Sequence, residues 1–330
     1  MTTLITGATG FVGSAVARAM ARRGHALRLL VRPSSDRRNV DGIDAEIVTG
    51  DLTDAASLAR AASGCRYVIH VAADYRLWVP VPEDMMRANV DGAVAMIRAA
   101  AEAGAERIVH CSSVAALGQI GDGTPADEAT PTHEADFVGV YKRSKYRAER
   151  AVLELAARES LPVVVVNPAA PVGPRDIKPT PTGKMVLDTA KGKVPAYIDT
   201  GLNIVHVDDV AEGHALALER GRIGERYVLG GENLLLKDVL ALIANVSGQR
   251  PPRIQLPEAL IWPVAWAMEK TAPLTGIAPM MTRDHLKMAR KKMFYSSAKA
   301  EAELGYKARP AREAVVDAVA WFRAAGMLRA

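Results

Sequence analysis

Short apolar runs alternate with helix-spaced apolar positions along the first two thirds of the chain. Leu4-Ile5 enters a glycine turn at Gly7, Gly10 and Gly13, and Val12, Val16 and Met20 then recur at helical spacing. This reads as a strand, a tight turn and the start of a helix. Further strands are predicted at Ala26–Val31, Ala45–Thr49, Tyr67–Val71, Glu106–Cys111 and Pro162–Asn167, with a return strand at Glu225–Leu229. Asp54 is placed to cap a helix beginning at Ala55, and a long helix from about Pro82 to Ala103 carries Asn89. The proline-rich run from Pro168 to Pro181 reads as a loop over the site, and from Leu234 on the chain is largely helical. Five strand–helix units without a repeated motif predict an α/β fold, a doubly wound parallel sheet whose ligand lies at the carboxyl ends of the strands.

Length fits one domain of ordinary size plus a smaller one. Residues 1–170 are expected to form a Rossmann-type nucleotide-binding domain, completed by about 203–230. Residues 171–202 and 231–330 form the smaller, mainly helical substrate-binding part. Composition narrows the function without choosing it. Of 330 residues 49% are apolar and 24% charged, which is ordinary for a soluble globular protein. The net charge of +5 suits anionic small ligands, but it is spread along the chain and makes no case for nucleic acid. Cys65 and Cys111 cannot build a disulfide framework, and because the first residues already read as a strand, no signal peptide is expected. No apolar run reaches the roughly 18–20 residues that span a bilayer. A cytoplasmic protein is expected.

The glycine turn is the first candidate site. Glycine allows backbone angles that a β-carbon forbids, and it lets a pyrophosphate reach the N–H groups at the helix N-terminus. The second strand ends in Arg32 rather than in a carboxylate. A carboxylate there would bind the ribose 2′-hydroxyl of NAD, whereas an arginine suits a 2′-phosphate. NADP is therefore the expected cofactor and NAD the alternative, with Arg37 a candidate second contact. Asp51 stands at a strand end where it can meet an adenine edge. Ala72 and Ala73 are small enough to let a flat cofactor lie against the backbone.

Tyr141 and Lys145, four apart, project from one helix face. An ammonium group beside a phenol favours the phenolate, which makes tyrosine a usable acid or base. Ser112-Ser113, at the end of the fifth predicted strand, offers a hydroxyl to orient a substrate oxygen. Asp209-x-x-Glu212 reads as a capping box, which explains the acids beside His206 and His214 without a metal. No metal is expected.

Together these motifs resemble the extended short-chain dehydrogenase/reductases. The carrying segments are Thr6-Gly-Ala-Thr-Gly-Phe-Val-Gly13, Gly50-Asp-Leu52, His70-Val-Ala-Ala73, Asn89-Val-Asp-Gly92, Cys111-Ser-Ser-Val-Ala-Ala-Leu-Gly118, Tyr141-x-x-x-Lys145, Asn167-Pro-Ala-Ala-Pro-Val-Gly-Pro174 and His206-Val-Asp-Asp209. The resemblance implies a catalytic trio: Ser113, Tyr141 as general acid/base, and Lys145 holding the ribose hydroxyls. It places the cofactor on Gly7, Thr9, Gly10, Phe11, Val12 and Gly13, on Arg32, Asp51, Leu52, Ala72 and Ala73, and on Tyr141, Lys145 and Pro168. It further implies a homodimer built on the Pro82–Ala103 helix and the one bearing Tyr141.

Within that superfamily the chain is similar to dihydroflavonol-reductase-like proteins and to the hopanoid-associated sugar epimerase family. The segments are Val31-Arg-Pro-Ser-Ser-Asp-Arg-Arg-Asn39, Ala72-Ala-Asp-Tyr-Arg-Leu-Trp78, Asn167 to Thr182 and Gly201 to Gly213. Nucleotide-sugar epimerases carry a phosphate-clamping arginine four residues before the histidine of the last motif, and here that position is Leu202. The expected activity is thus an NADP-dependent carbonyl reductase or alcohol dehydrogenase with a small-molecule or lipid-like, hopanoid-related substrate. A nucleotide-sugar epimerase or dehydratase is the alternative, and a non-catalytic NADP-binding regulator is a third reading that the complete trio opposes. The stretch from Leu256 to about residue 279, with Trp262 and Trp266, is read as an apolar lid, a patch for peripheral membrane contact, or plain core. Lys287, Arg290, Lys291 and Lys292 follow it.

Overall fold

The computed structural model describes residues 1–76, 79–120, 122–257, the isolated positions 262, 263, 265, 266, 268 and 271, and 291–328. Most of the 256–279 stretch, with Lys287, Arg290, Leu77 and Trp78, lies outside the described residues.

Seven parallel strands form the central sheet: β1 (Thr2–Thr6), β2 (Ala26–Val31), β3 (Glu46–Thr49), β4 (Tyr67–His70), β5 (Arg107–Cys111), β6 (Val163–Pro168) and β10 (Arg226–Leu229). Their spatial order is β10-β6-β5-β4-β1-β2-β3. Each predicted strand is present, with ends shifted by one or two residues. The valine run Val163–Val166 in β6 is wholly buried, as a strand covered on both faces requires. On one face α1 (Phe11–Arg22) and α7 (Val207–Arg220) pack over Ile5, Leu29, Ile69 and Val164; on the other α2 (Ala55–Ala62), α4 (Gly92–Glu102) and α5 (Val140–Glu159) cover Leu4, Val68, Ile108 and Val163. Asp54 caps α2 by accepting from the Ser57 amide at 3.2 Å.

Three local expectations are corrected. The Pro82–Ala103 helix is interrupted: α3 (Pro82–Met86) passes into a π turn at Arg87–Asp91 before α4. The wider turn adds a residue and re-aims Asn89, a change that 3.6-residue periodicity does not register. The run after Pro168 is not all loop, because β7 (Ala170–Val172) pairs with β9 (Gly201–His206) in a second sheet ordered β11-β9-β7, where β11 is Glu232–Leu235. Asp209 and Glu212 form no capping box. His206 caps α7 by accepting from the Asp208 amide at 2.9 Å, while Asp209 binds Arg309 and Glu212 pairs with Arg23. Those arginines come from distant elements and win the carboxylates.

The remaining elements support the second sheet. They are α6 (Pro181–Ala190), β8 (Ala196–Tyr197), α8 (Leu236–Ser247), β12 (Ile254–Gln255), α9 (Ala298–Leu304) and α10 (Ala311–Ala324). A core of Val186, Val239, Ile243, Val315 and Phe322 joins α6, α8 and α10. No helix among the described residues is long and apolar enough to cross a membrane.

Candidate active site

The three glycines of the turn between β1 and α1 do different things. Gly7 has φ +72°, and a β-carbon there would stand 2.7 Å from the Ala72 amide nitrogen. Gly13 lies against the turn itself, where a β-carbon would come within 2.1 Å of the Gly7 carbonyl oxygen. Gly10 differs: a β-carbon would meet only that same oxygen, at 3.2 Å, with open space beyond. Gly10 also caps α1 and brings no side chain to its first-turn amides. A bare helix N-terminus with room in front of it fits a pyrophosphate, so the residues present suit a dinucleotide. Phe11 is buried beneath the turn, Thr9 and Val12 are half-buried, and the Thr9 carbonyl accepts from Asn39 at 3.2 Å.

Around this cradle the other candidate residues sit at strand ends. Thr6 ties the ends of β1 and β4 together, accepting from the Ala72 amide at 3.2 Å and meeting His70 Nδ1 at 2.7 Å. Ala72 and Ala73 are half-buried, and Pro168 closes β6. Arg32 is exposed just past β2. Asp51 accepts from both the amide and the hydroxyl of Thr53, which holds its carboxyl below the usual range, and nearby Arg32 adds to this. Leu52 packs on Gly92, whose β-carbon would sit 2.9 Å from that of Leu52.

The trio converges below β5. Tyr141 and Lys145 lie on the first turns of α5, and Ser113 caps the short 3-10 turn Val114–Ala116, its Oγ accepting from the Ala115 amide at 3.1 Å. The expected lowering of the Tyr141 pKa by Lys145 is overturned in this state. Burial pushes Tyr141 up to about 12, opposed only by a hydrogen bond with Ser113. Lys145 is buried and donates instead to the Cys111 carbonyl at 3.0 Å, and burial lowers its own pKa. The Lys145 ammonium is thus directed to the Cys111 carbonyl rather than to the phenol, and burial sets the direction of the Tyr141 shift.

Two asparagines brace the trio. Asn89, in the π turn, accepts from the Asp74 amide at 2.7 Å and donates to the Asp74 carbonyl and to Ser144 Oγ at 2.8 and 2.9 Å. Ser144 in turn donates to the Tyr141 carbonyl at 2.7 Å. Asn167 donates to the Ser113 carbonyl at 3.0 Å and to buried Glu149, which Arg226 neutralises at 2.8 Å. Under them His70 and His110 stack with ring centroids 5.4 Å apart. Burial and the nearby Lys145 ammonium hold His70 down to about 3. Both rings are thus neutral and serve as a polar floor rather than as acids. His214 is likewise buried, with Nδ1 on the Val210 carbonyl at 2.7 Å, and His206 Nε2 faces Asp317 at 3.1 Å.

Sequence reasoning missed Lys142. It is half-buried beside Tyr141, and burial together with neighbouring Lys291 brings it down to about 8. Its position one residue past Tyr141 in the first turn was the available signal. A lysine there reads as part of a solvated helix face unless the fold is known to cover it.

A parallel sheet with a glycine turn after its first strand, and a tyrosine–lysine–serine trio at its carboxyl edge, defines a Rossmann-type enzyme dependent on NAD or NADP. The chain belongs to the NAD dependent epimerase/dehydratase family, whose profile matches residues 3–230. It is 41% identical to a protein of Synechocystis sp. provisionally named dihydroflavonol 4-reductase, over 98% of this chain and 95% of that one. It is 32% identical to sterol demethylase protein B of Methylococcus capsulatus, over 99% of this chain and all of the other. The crystal structure of gox2253 superposes with a TM-score of 0.91 at 59% identity, covering 99% of each chain.

Proposed function

We propose that this enzyme is an NADP-dependent carbonyl reductase or alcohol dehydrogenase acting on a large, hopanoid-related hydrophobic substrate. Leu202 carries the reading. It pairs with Leu234 across β9 and β11, forms a backbone bridge to Met293 and packs against the Val186–Phe322 core, so no guanidinium stands at the position where a phosphate clamp would be needed. Burying apolar surface is worth about 25 cal/mol per Å², enough for a polycyclic group to dominate binding without a charged contact. The sterol and dihydroflavonol names of two relatives support a polycyclic substrate. The bound nicotinamide would supply or accept the hydride. In this reading Tyr141 gives the substrate oxygen its proton, Ser113 orients that oxygen, and Lys145 holds the ribose hydroxyls. Residues 171–202 and 231–330 would hold the substrate. The helices α3–α4 and α5 would form a two-fold interface, and light scattering should report a dimer at micromolar concentration.

The test is to follow nicotinamide absorbance with hopanoid-type carbonyl compounds and, separately, with nucleotide sugars. NADPH consumed only with the lipids supports the reductase. A nucleotide sugar that changes configuration without net cofactor consumption establishes the alternative. That alternative draws on the family's own description and on Lys142, a half-buried cation in the first turn of α5 with Lys291 near it.

NADPH should bind more tightly than NADH. One charge-assisted phosphate contact is worth roughly 1.5–3 kcal/mol, so the gap should be about tenfold or more. Arg32→Ala should narrow it. Equal fluorescence titrations for the two nucleotides would show Arg32 to be a plain surface charge.

A further inference from the structure

Outside the trio and the glycine turn, a cavity of about 340 Å³ opens between α1, the loop after β2, the loop after β7 and α10. Arg18, Arg38 and Arg175 line it, together with Asn39, Ile177 and the indole of Trp321. The charges are poorly balanced. Arg38 is held by Asp36, and Arg175 by Asp208. Arg18 pairs with no carboxylate among the described residues; its Nη2 donates only to the carbonyls of Asn39 and Asp41, at 3.1 and 3.3 Å. The Nε atoms of Arg18 and of Arg175 are enclosed without an acceptor. Burial, and then the facing Arg175, depress the Arg18 pKa, and the Asp208 carboxylate that pairs with Arg175 offsets this only in part. The backbone at one of these arginines is also strained. Arg175 has φ +75°, one of two non-glycine residues with positive φ among the described residues. Such an arrangement costs free energy until an anion enters.

We propose that this cavity is a second anion site, separate from the dinucleotide cradle, that takes a small phosphate monoester with a flat organic part. A dianionic phosphate answers converging guanidinium groups better than a carboxylate does, and Trp321 offers a face for the ring. The volume lies at the lower end of ligand pockets, which limits the occupant to a small metabolite. Asn39 lines the cavity and also donates to the Thr9 carbonyl in the glycine turn. An occupant is therefore positioned to change cofactor affinity.

The same chemistry could come from the 2′-phosphate of NADP, so the experiment separates the two sources. Full-length enzyme saturated with NADP⁺ is titrated calorimetrically with phenyl phosphate and with inorganic phosphate. Phenyl phosphate is expected to bind the saturated enzyme about tenfold more tightly than inorganic phosphate, the increment of one aromatic contact. Arg18→Gln should weaken both probes by about tenfold or more. Trp321→Leu should erase the preference for the phenyl ester while keeping inorganic phosphate binding. Unchanged melting temperatures and unchanged cofactor binding in the two variants show that the folds are intact. No heat with either probe up to millimolar concentration overturns the proposal. So does competition of phenyl phosphate with NADP⁺ but not with NAD⁺, which would assign the cavity to the cofactor.

Discussion

Replacing Tyr141 with phenylalanine should reduce turnover by about 10²–10⁴-fold, the usual range for removing a positioned acid or base. Cofactor affinity should hardly change. The hydroxyl bonds to Ser113, whereas the anchoring of α5 runs through the Tyr141 carbonyl, Ser144 and Asn89, which the substitution leaves in place. Lys145→Ala is expected to damage both turnover and binding, because the proposed function assigns Lys145 to the ribose that would position the nicotinamide. It also removes the donor to the Cys111 carbonyl at the end of β5. Steady-state kinetics with a model carbonyl substrate, paired with nucleotide titration, separate the two effects. A Tyr141→Phe enzyme that loses nucleotide binding to the same degree as turnover would refute this division of labour.

The second large effect divides the glycine turn. Gly13→Ala puts a β-carbon 2.1 Å from the Gly7 carbonyl oxygen and 2.6 Å from its carbon, both backbone atoms that cannot swing away. Either α1 or the turn must move, at a cost of about 1–3 kcal/mol or more of stability. Gly10→Ala adds a β-carbon that meets only one atom, at 3.2 Å, and should leave stability nearly unchanged. Yet that β-carbon occupies the open ground in front of the helix amides. We expect it to weaken nucleotide binding by at least about tenfold, which is 1.4 kcal/mol. Urea denaturation and nucleotide titration on both variants check this. Equal loss of stability, or full nucleotide affinity in Gly10→Ala, would show that the two glycines have no such separate tasks.

Much of the architecture was legible because parallel strands buried on both faces read as apolar runs, and the valines of β6 need no partner information to declare themselves. The glycine turn was legible for a similar reason: local geometry requires glycine at Gly7 and Gly13. What escaped the sequence depends on partners far along the chain. Asp209 looked like a helix cap until Arg309, a hundred residues on, took its carboxylate. The π turn at Arg87–Asp91 adds a residue to the helix without any signal in the apolar spacing. The Tyr141 pKa turned on burial, which spacing does not report, and Lys142 is half-buried for reasons set by elements around it.

The packing of α1 against α7 has a consequence for synthesis. Ala15, Ala19 and Met20 in α1 share a core with Ala211 and Ala215 in α7, and Arg23 reaches Glu212 across 189 residues of sequence. A ribosome adding 5–20 residues per second takes roughly 10–40 s to make that stretch. Through that interval β1, β2 and α1 have emerged while the helix that covers them has not. The nascent chain must therefore hold an apolar face open to solvent, and chaperone capture should peak before residue 207 emerges and fall once α7 docks.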